Sequence, residues 1–148
     1  MLMKINLIWV GKTKEQFIRD GIEKYLKLLG HYADIAIVEV KEEKGSNSSM
    51  TAEREGERIM KLGMPYALLD EQGMDLTSVE FAGYIDRHAP RINFVMGGAF
   101  GVSERVRAGA RETVSLSRMT FTHEMARIFL LEQLYRAFSI INRKGYHH

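Results

Sequence analysis

The sequence is most informative at first for what it lacks: cysteine altogether, a large net charge, and any long hydrophobic run. Its 148 residues include no cysteine and carry a net charge of +2. Without cysteine there is no disulfide framework, thiolate nucleophile or cysteine-based zinc site. The small charge excludes a polybasic nucleic-acid coat protein. No apolar run reaches the roughly 20 residues that cross a bilayer, and the N-terminus lacks a signal peptide's apolar region. We expect no membrane association and a cytoplasmic protein.

What is present is typical of one folded domain. Hydrophobic residues make up 45% of the chain and charged residues 27%, which is ordinary for a globular protein and argues against disorder. A chain of this length can bury roughly two-thirds of its unfolded surface. We find no internal repeat and no linker, and we predict a single domain over 1–148.

Strand and helix patterns alternate along the whole chain. Apolar or β-branched runs predict strands, and apolar positions at helical spacing predict helices. Such alternation predicts an α/β fold with a mainly parallel sheet flanked by helices. The polar segment 41–50 (KEEKGSNSSM) is expected to be a mobile loop, and 71–75 (EQGMD) a turn. The predicted strands are 5–10, 34–40, 65–70, 91–96 and 113–116, and the predicted helices are 14–29, a segment capped by Ser49 or Thr51 that ends at 62, 77–88, 103–110 and 122–141.

Three of these strands end in residues that suit a ligand. The ends are 69–71 (LDE), 96–98 (MGG) and 116–119 (LSRM). In open α/β sheets, ligands gather beyond the carboxyl ends of strands. If the three strands are neighbours, their loops form one crevice. The same residues are also typical of ordinary turns, and the sequence alone favours neither interpretation.

The glycine turn in 95–106 (VMGGAFGVSERV) resembles a phosphate loop but fails in detail. A dinucleotide fingerprint needs G-x-G-x-x-G in the first strand–helix turn, with an acidic residue about 20 positions later. A triphosphate loop ends in G-K-[ST], whereas this one ends in Gly101-Val102-Ser103. The adjacent Gly97 and Gly98 still permit close approach to a flat ligand, and we expect Ser103 to cap the next helix.

No pattern for metal binding or nucleophilic catalysis stands out. The histidines have no zincin spacing, and there is no G-x-S-x-G elbow. We therefore predict no metal and disfavour a hydrolase. A cluster of arginines in the C-terminal third could meet phosphate, although solvated helix faces explain it equally well. The histidines are His31, His88, His123, His147 and His148, and the arginines are Arg105, Arg107, Arg111 and Arg118, followed by Arg143 and Lys144.

The last helical segment is apolar around much of its circumference. Its run RIFLLEQLYRAFSII must be covered on more than one side. The sheet can cover one side and a second subunit the other, which predicts a homodimer. The alternative is a central helix buried inside one core.

The motifs together resemble the RlmH family of the SPOUT superfamily of methyltransferases. The shared stretches are GGAFG, LSRMTFTHEMARIFLLEQLYRAFSI, GYHH, INLIWVGKTK and ALLDEQG, so the resemblance covers nearly the whole chain. It implies a SPOUT-type α/β knot fold with a C-terminal trefoil knot, and a homodimer. It also implies S-adenosylmethionine-dependent methylation of N3 of pseudouridine 1915 in 23S rRNA, on the assembled ribosome. A SPOUT enzyme acting on tRNA, or a non-catalytic ribosome-binding module, are the alternatives.

The resemblance also implies which residues serve the reaction. Two positions depart from the family, which usually has proline where this chain has Thr122 and Gly145. The proton acceptor stays open between His147 and Tyr146, with Glu124 as a weaker candidate. By the resemblance the cofactor is bound by Leu69, Gly97, Leu116, Ser117, Arg118, Met119, Thr120 and Phe121, and the RNA side of the site comprises His123, Arg136, Tyr146 and His147.

Overall fold

The computed structural model describes residues 2–45 and 47–146, with side chains described as far as 143. Five strands and five helices alternate in them, which confirms the predicted α/β class. Most element ends lie within two or three residues of their predicted positions. The strands are β1 Met3–Val10, β2 Ala33–Val40, β3 Ala67–Asp75, β4 Arg91–Met96 and β5 Glu112–Ser115, and the helices are α1 Gln16–Leu29, α2 Ser48–Met60, α3 Ser78–Arg87, α4 Glu104–Gly109 and α5 His123–Tyr146.

The five strands form one sheet in the order β2-β1-β4-β3-β5. Every strand pair is parallel, so all carboxyl ends lie at one edge. Strand β1 is almost continuously apolar because helices cover both faces of the sheet. Since β4, β3 and β5 are adjacent, the three strand ends that the sequence analysis grouped lie side by side.

Helices α1, α3 and α5 cover one face of the sheet, and α2 and α4 cover the other. Residues of β1 alternate between the two cores, with Leu7 and Trp9 in the first and Ile8 and Val10 in the second. Helix α5 packs between α1 and α3. The approach to α1 is close, since a Cβ on Gly21 would lie 2.6 Å from Ile128 Cδ1.

This placement explains why α5 is apolar on several sides. Leu130, Leu131 and Leu134 are fully buried, because the sheet and two neighbouring helices cover them. Much of the apolar surface is thus covered within the chain, although Phe129 remains 37% exposed. The homodimer and the trefoil knot stay predictions. No helix among the described residues is long and apolar enough to cross a bilayer.

Segment 71–75, predicted as a turn, is instead the second half of β3. The strand pairs with β5 on both sides of a bulge, so that Leu69 and Met74 both lie opposite Val114. A Cβ on Gly73 would lie 2.6 Å from the carbonyl carbon and oxygen of Thr113, so glycine lets the two backbones meet there. Residues that favour turns are also those that a bulge requires.

The start of α2 also differs from the expectation. The cap is Asn47, whose Oδ1 accepts a hydrogen bond from the Met50 amide at 3.1 Å, rather than Ser49 or Thr51. Asparagine is at least as good a cap as serine, and several such residues compete in this segment. Residues 48–50 therefore belong to the helix and not to the predicted loop. The predicted cap at Ser103 is confirmed, since its Oγ accepts from the Val106 amide at 3.2 Å.

Candidate functional site

A cavity of about 470 Å³ lies between the bulge of β3, the carboxyl ends of β4 and β5, and the first turn of α5. The three predicted segments therefore build one crevice, although residues 69–71 lie at the bulge of β3 and not at its end. The cavity is lined by Leu69, Asp70, Glu71, Met96, Gly97, Gly98, Ala99, Gly101, Val102, Leu116, Ser117, Met119, Thr120, Phe121, Thr122, His123 and Ala126.

The glycine turn after β4 forms one wall and folds back on itself. The Gly101 amide donates a hydrogen bond to the Gly98 carbonyl at 3.0 Å, and Gly101 has φ +77°, a conformation that favours glycine. A Cβ on Gly97 would lie 2.8 Å from Val102 Cγ1 and 2.9 Å from the Gly101 carbonyl oxygen. The requirement for glycine at 97 is therefore internal to the turn, whereas the sequence analysis had assigned it to the ligand.

The loop after β5 forms the opposite wall and is tied to β3. The Thr120 hydroxyl donates to the Glu71 carboxylate. Arg118 donates to Asp75 at 2.8 Å and to the Glu71 carbonyl at 3.1 Å. The continuation of β3 past its bulge thus holds the loop in place.

The first turn of α5 brings two ionisable groups to this region. His123 lines the cavity and is half-buried. Burial, and after it the positive charge of Arg127, lowers the pKa of His123 below its ordinary value, which favours the neutral imidazole. Glu124 is buried and accepts hydrogen bonds from the Lys14 and Glu15 amides, both at 3.0 Å.

Those two hydrogen bonds decide the role of Glu124. Burial alone would raise its pKa, but the backbone donors, together with the positive charges of Arg127 and His123, outweigh burial and hold the pKa below its ordinary value. A carboxylate with both oxygens engaged and a lowered pKa is a poor proton acceptor. Glu124, a weaker candidate for that role in the sequence analysis, is therefore a structural group that joins α5 to the start of α1.

Comparison with known proteins decides the family. A family model described as "Predicted SPOUT methyltransferase" matches residues 3–147. The chain belongs to the SPOUT methyltransferase family. It is 48% identical to the ribosomal RNA large subunit methyltransferase H of Geotalea daltonii and 46% identical to that of Geobacter sulfurreducens, in each case over 99% of this chain and 100% of the relative.

A solved structure shows the same fold. The probable methylase family protein from Haemophilus influenzae Rd KW20 superposes with a TM-score of 0.62, over 97% of this SPOUT methyltransferase and 70% of that chain. At 13% sequence identity, this likeness is evidence for the fold alone. Family membership confirms the predicted methyltransferase class and S-adenosylmethionine as the cofactor.

The cavity of this SPOUT methyltransferase fits that cofactor. Leu69, Leu116 and Phe121 give apolar walls for an adenine ring, and the glycine turn presents main-chain polar groups. Asp70 also lines the cavity, and its carboxylate is paired with Arg107. Burial would raise the pKa of Asp70, but hydrogen bonds from Arg107 and the Gln72 amide outweigh it and hold the pKa low.

The structure separates the residues that the resemblance implied. Arg118 does not line the cavity, because it is bound to β3. Arg136 lies on the exposed side of α5 and is hydrogen-bonded to Glu132 at 2.6 Å. His147 and the side chain of Tyr146 lie outside the described residues. His123, which the resemblance assigns to the RNA, also lines the cavity. The implied cofactor residues that line it are Leu69, Gly97, Leu116, Ser117, Met119, Thr120 and Phe121.

The sequence placed Arg107 in a cluster that could meet phosphate but did not indicate its pairing with Asp70, whose carboxylate lies 3.1 Å from Arg107 Nη1. Arg127 was not predicted at all. The available signal for Arg127 was a lone arginine in an otherwise apolar stretch of the last helix. Within the described residues, no group of three or more histidine or acidic side chains could hold a metal ion.

Proposed function

We propose that this SPOUT methyltransferase transfers the methyl group of S-adenosylmethionine to N3 of pseudouridine 1915 in 23S rRNA, on the assembled ribosome. One observation carries the proposal: the three strand ends and α5 enclose a cofactor-sized cavity in a chain that is nearly half identical to proteins named ribosomal RNA large subunit methyltransferase H. His123 lies at that cavity and supplies a polar group on the side where a base would enter.

The geometry supports this chemistry because little besides positioning is required. A bound sulfonium supplies an already activated methyl group, so the protein needs no covalent nucleophile. What remains is to hold the two reactants in line and to remove the N3 proton. Leu69 and the loop after β5 would hold the adenosine end of the cofactor, and the main chain of the glycine turn would hold the rest.

The charge distribution supports the ribosome as the substrate rather than free RNA. The net charge is only +2, and Arg107 is already paired with Asp70. Arg105 and Arg111 are exposed and are candidate phosphate contacts, together with Arg143 and Lys144. So few cations give weak binding to RNA alone, and we expect the folded ribosomal surface to supply the remaining contacts.

The test is to incubate unmodified ribosomes with the protein and isotopically labelled S-adenosylmethionine, and to map the label by mass spectrometry. We expect one labelled N3-methylpseudouridine in 23S rRNA, with protein-free rRNA fragments methylated far less. Label found instead in tRNA would support the alternative substrate. An absence of both transfer and calorimetric cofactor binding would support a non-catalytic module.

We also propose that the enzyme is a homodimer whose C-terminal tail crosses to the partner's site. Three apolar side chains near the cavity are exposed in the single chain, and a second subunit would cover them. They are Met119, Phe100 and Phe129. We expect sedimentation at micromolar concentration to give twice the chain mass of 17.0 kDa. A monomer under those conditions would contradict the dimer, while leaving the methylation test unaffected.

A further inference from the structure

Arg127, in the second turn of α5, has no solvent exposure. Its Nη2 donates a hydrogen bond to the Val10 carbonyl at 2.7 Å, and its Nη1 donates to the Thr13 hydroxyl at 2.8 Å. The guanidinium carbon lies 4.7 Å from the centroid of the Trp9 ring. This one side chain thus binds both the end of β1 and the segment that follows it.

Such a residue is a poor choice for stability alone. Its hydrogen bonds go to a carbonyl and a hydroxyl oxygen rather than to a carboxylate, and its Nε has no partner among the described atoms. Burial lowers the pKa of Arg127, although the charges of Glu124, Glu39 and Glu42 oppose that effect from beyond hydrogen-bond distance. A buried charge without a directly bonded carboxylate lowers the stability of the fold, and an apolar side chain of similar volume is often neutral or better. Because stability does not explain why an arginine is buried here, we expect Arg127 to have a role in the neighbouring cofactor site.

The surroundings of α5 suggest that role. Glu124 and Arg127 face the segment 10–15 and bind it from both ends. His123 and Ala126, on the same two turns, line the cofactor cavity. The same segment also reaches the glycine turn, since a Cβ on Gly98 would lie 3.3 Å from Val10.

We infer that Arg127 is a positioning residue for methyl transfer: it fixes the first turn of α5 against the carboxyl end of β1 and so places His123 at the cavity. This inference rests on the proposed function and assigns the base. The N3–H proton passes to the His123 imidazole, and the freed N3 electron pair forms the bond to the methyl carbon. The methyl–sulfur bond breaks with its electron pair remaining on sulfur, which leaves S-adenosylhomocysteine and a protonated His123.

The charge of Arg127 acts in the same direction. Burial and then Arg127 lower the pKa of His123, as does Lys14 from the β1–α1 segment. Glu124 on α5 and Glu42 after β2 oppose them and raise it. A lowered pKa keeps the imidazole neutral and able to accept a proton. Removing the Arg127 charge raises the His123 pKa, and the acid limb of the pH–rate profile then moves to higher pH.

Three variants separate positioning from charge. Arg127→Met loses the hydrogen bonds and the charge, so we expect kcat/KM on ribosomes to fall roughly 10- to 100-fold and the acid limb to move up. Arg127→Lys keeps the charge, so kcat falls while the acid limb stays at the wild-type pH. Thr13→Val removes only one hydrogen bond, so we expect a smaller loss of kcat and an acid limb at the same pH as in the wild type. Binding of S-adenosylmethionine is expected to change little in all three.

An NMR titration of the His123 ring, assigned by the resonance missing from His123→Gln, gives a readout without ribosomes. We expect the midpoint pH of the His123 titration to be higher in Arg127→Met than in the wild type, and to be unchanged in Arg127→Lys. If the wild type methylates nothing, the proposed function fails, while this titration still tests the coupling. A folded Arg127→Met with wild-type kcat/KM and midpoint would overturn the inference. If that variant does not fold, wild-type kcat in both Arg127→Lys and Thr13→Val would overturn it.

Discussion

We expect the Gly97→Ala variant to bind S-adenosylmethionine at least roughly tenfold more weakly than the wild type. The added Cβ would lie 2.8 Å from Val102 Cγ1 and 2.9 Å from the Gly101 carbonyl oxygen. Because part of this obstacle is backbone, the glycine turn must shift, and overpacking of this kind costs about 1–3 kcal/mol. A cost of about 1.4 kcal/mol in the turn's bound conformation corresponds to tenfold in Kd. Isothermal calorimetry measures the change directly.

Gly83→Ala is the matched control for this substitution. Gly83 lies in α3 and away from the cavity, and its added Cβ meets only the flexible end of Arg87, at 3.4 Å. Alanine is favoured over glycine inside a helix by roughly 0.5–1 kcal/mol, so this variant should be slightly more stable and bind the cofactor normally. Wild-type affinity in Gly97→Ala would show that the turn does not form a cofactor wall.

We expect a chain ending at Lys144 to bind S-adenosylmethionine normally but to methylate ribosomes at less than about one-hundredth of the wild-type rate. Of the described residues that line the cavity, His123 is the only histidine, and none is tyrosine. The resemblance implies Tyr146 and His147 as residues of the RNA side, and we propose that they complete the partner's site and orient the target nucleobase. Positioned polar groups of this kind contribute roughly 10²–10⁴-fold. Single-turnover methylation with saturating ribosomes is the appropriate measurement.

A chain ending at His147 is the control for the truncation, since it removes a single residue beyond the implied site. We expect it to retain full activity. Unchanged methylation by the chain ending at Lys144 would refute a catalytic tail. The pH–rate profile of that shorter chain also distinguishes the two candidate proton acceptors. The acid limb of the profile persists if His123 accepts the N3 proton, and it disappears if His147 does.

Local patterns were sufficient to predict most of the fold. The apolar run of β1, the helical spacing of α1 and the cap at Ser103 are each contained within a few consecutive residues, so their elements could be predicted without knowing their neighbours. The strand ends at Leu69, Met96 and Leu116 could also be grouped, because parallel strands place their carboxyl ends at one edge, but the crevice followed only if the three strands are neighbours. The resemblance then supplied the cofactor.

The bulge in β3 could not be predicted in the same way. Segment 71–75 has turn-forming residues, and whether such residues end a strand or bulge out of it depends on the partner strand. Here β5, some 40 residues later in the chain, approaches Gly73 within van der Waals distance and resumes pairing at Met74. That approach places Glu71 and Asp75 where they hold the cofactor loop.

The sequence by itself determined the alternating elements, because these depend on short-range periodicity, and the alternation predicted a parallel sheet. It could group the strand ends only on the condition that their strands are neighbours, and the strand order that meets this condition is a property of the tertiary structure. Only the tertiary structure decided what the charged residues of α5 do. Glu124 was a candidate base and Arg127 was unnoticed until packing brought them to the segment 10–15, more than 100 positions earlier in the chain. Burial and hydrogen-bond partners determine whether such a group reacts or holds its neighbours, and both arise from contacts that are distant in sequence.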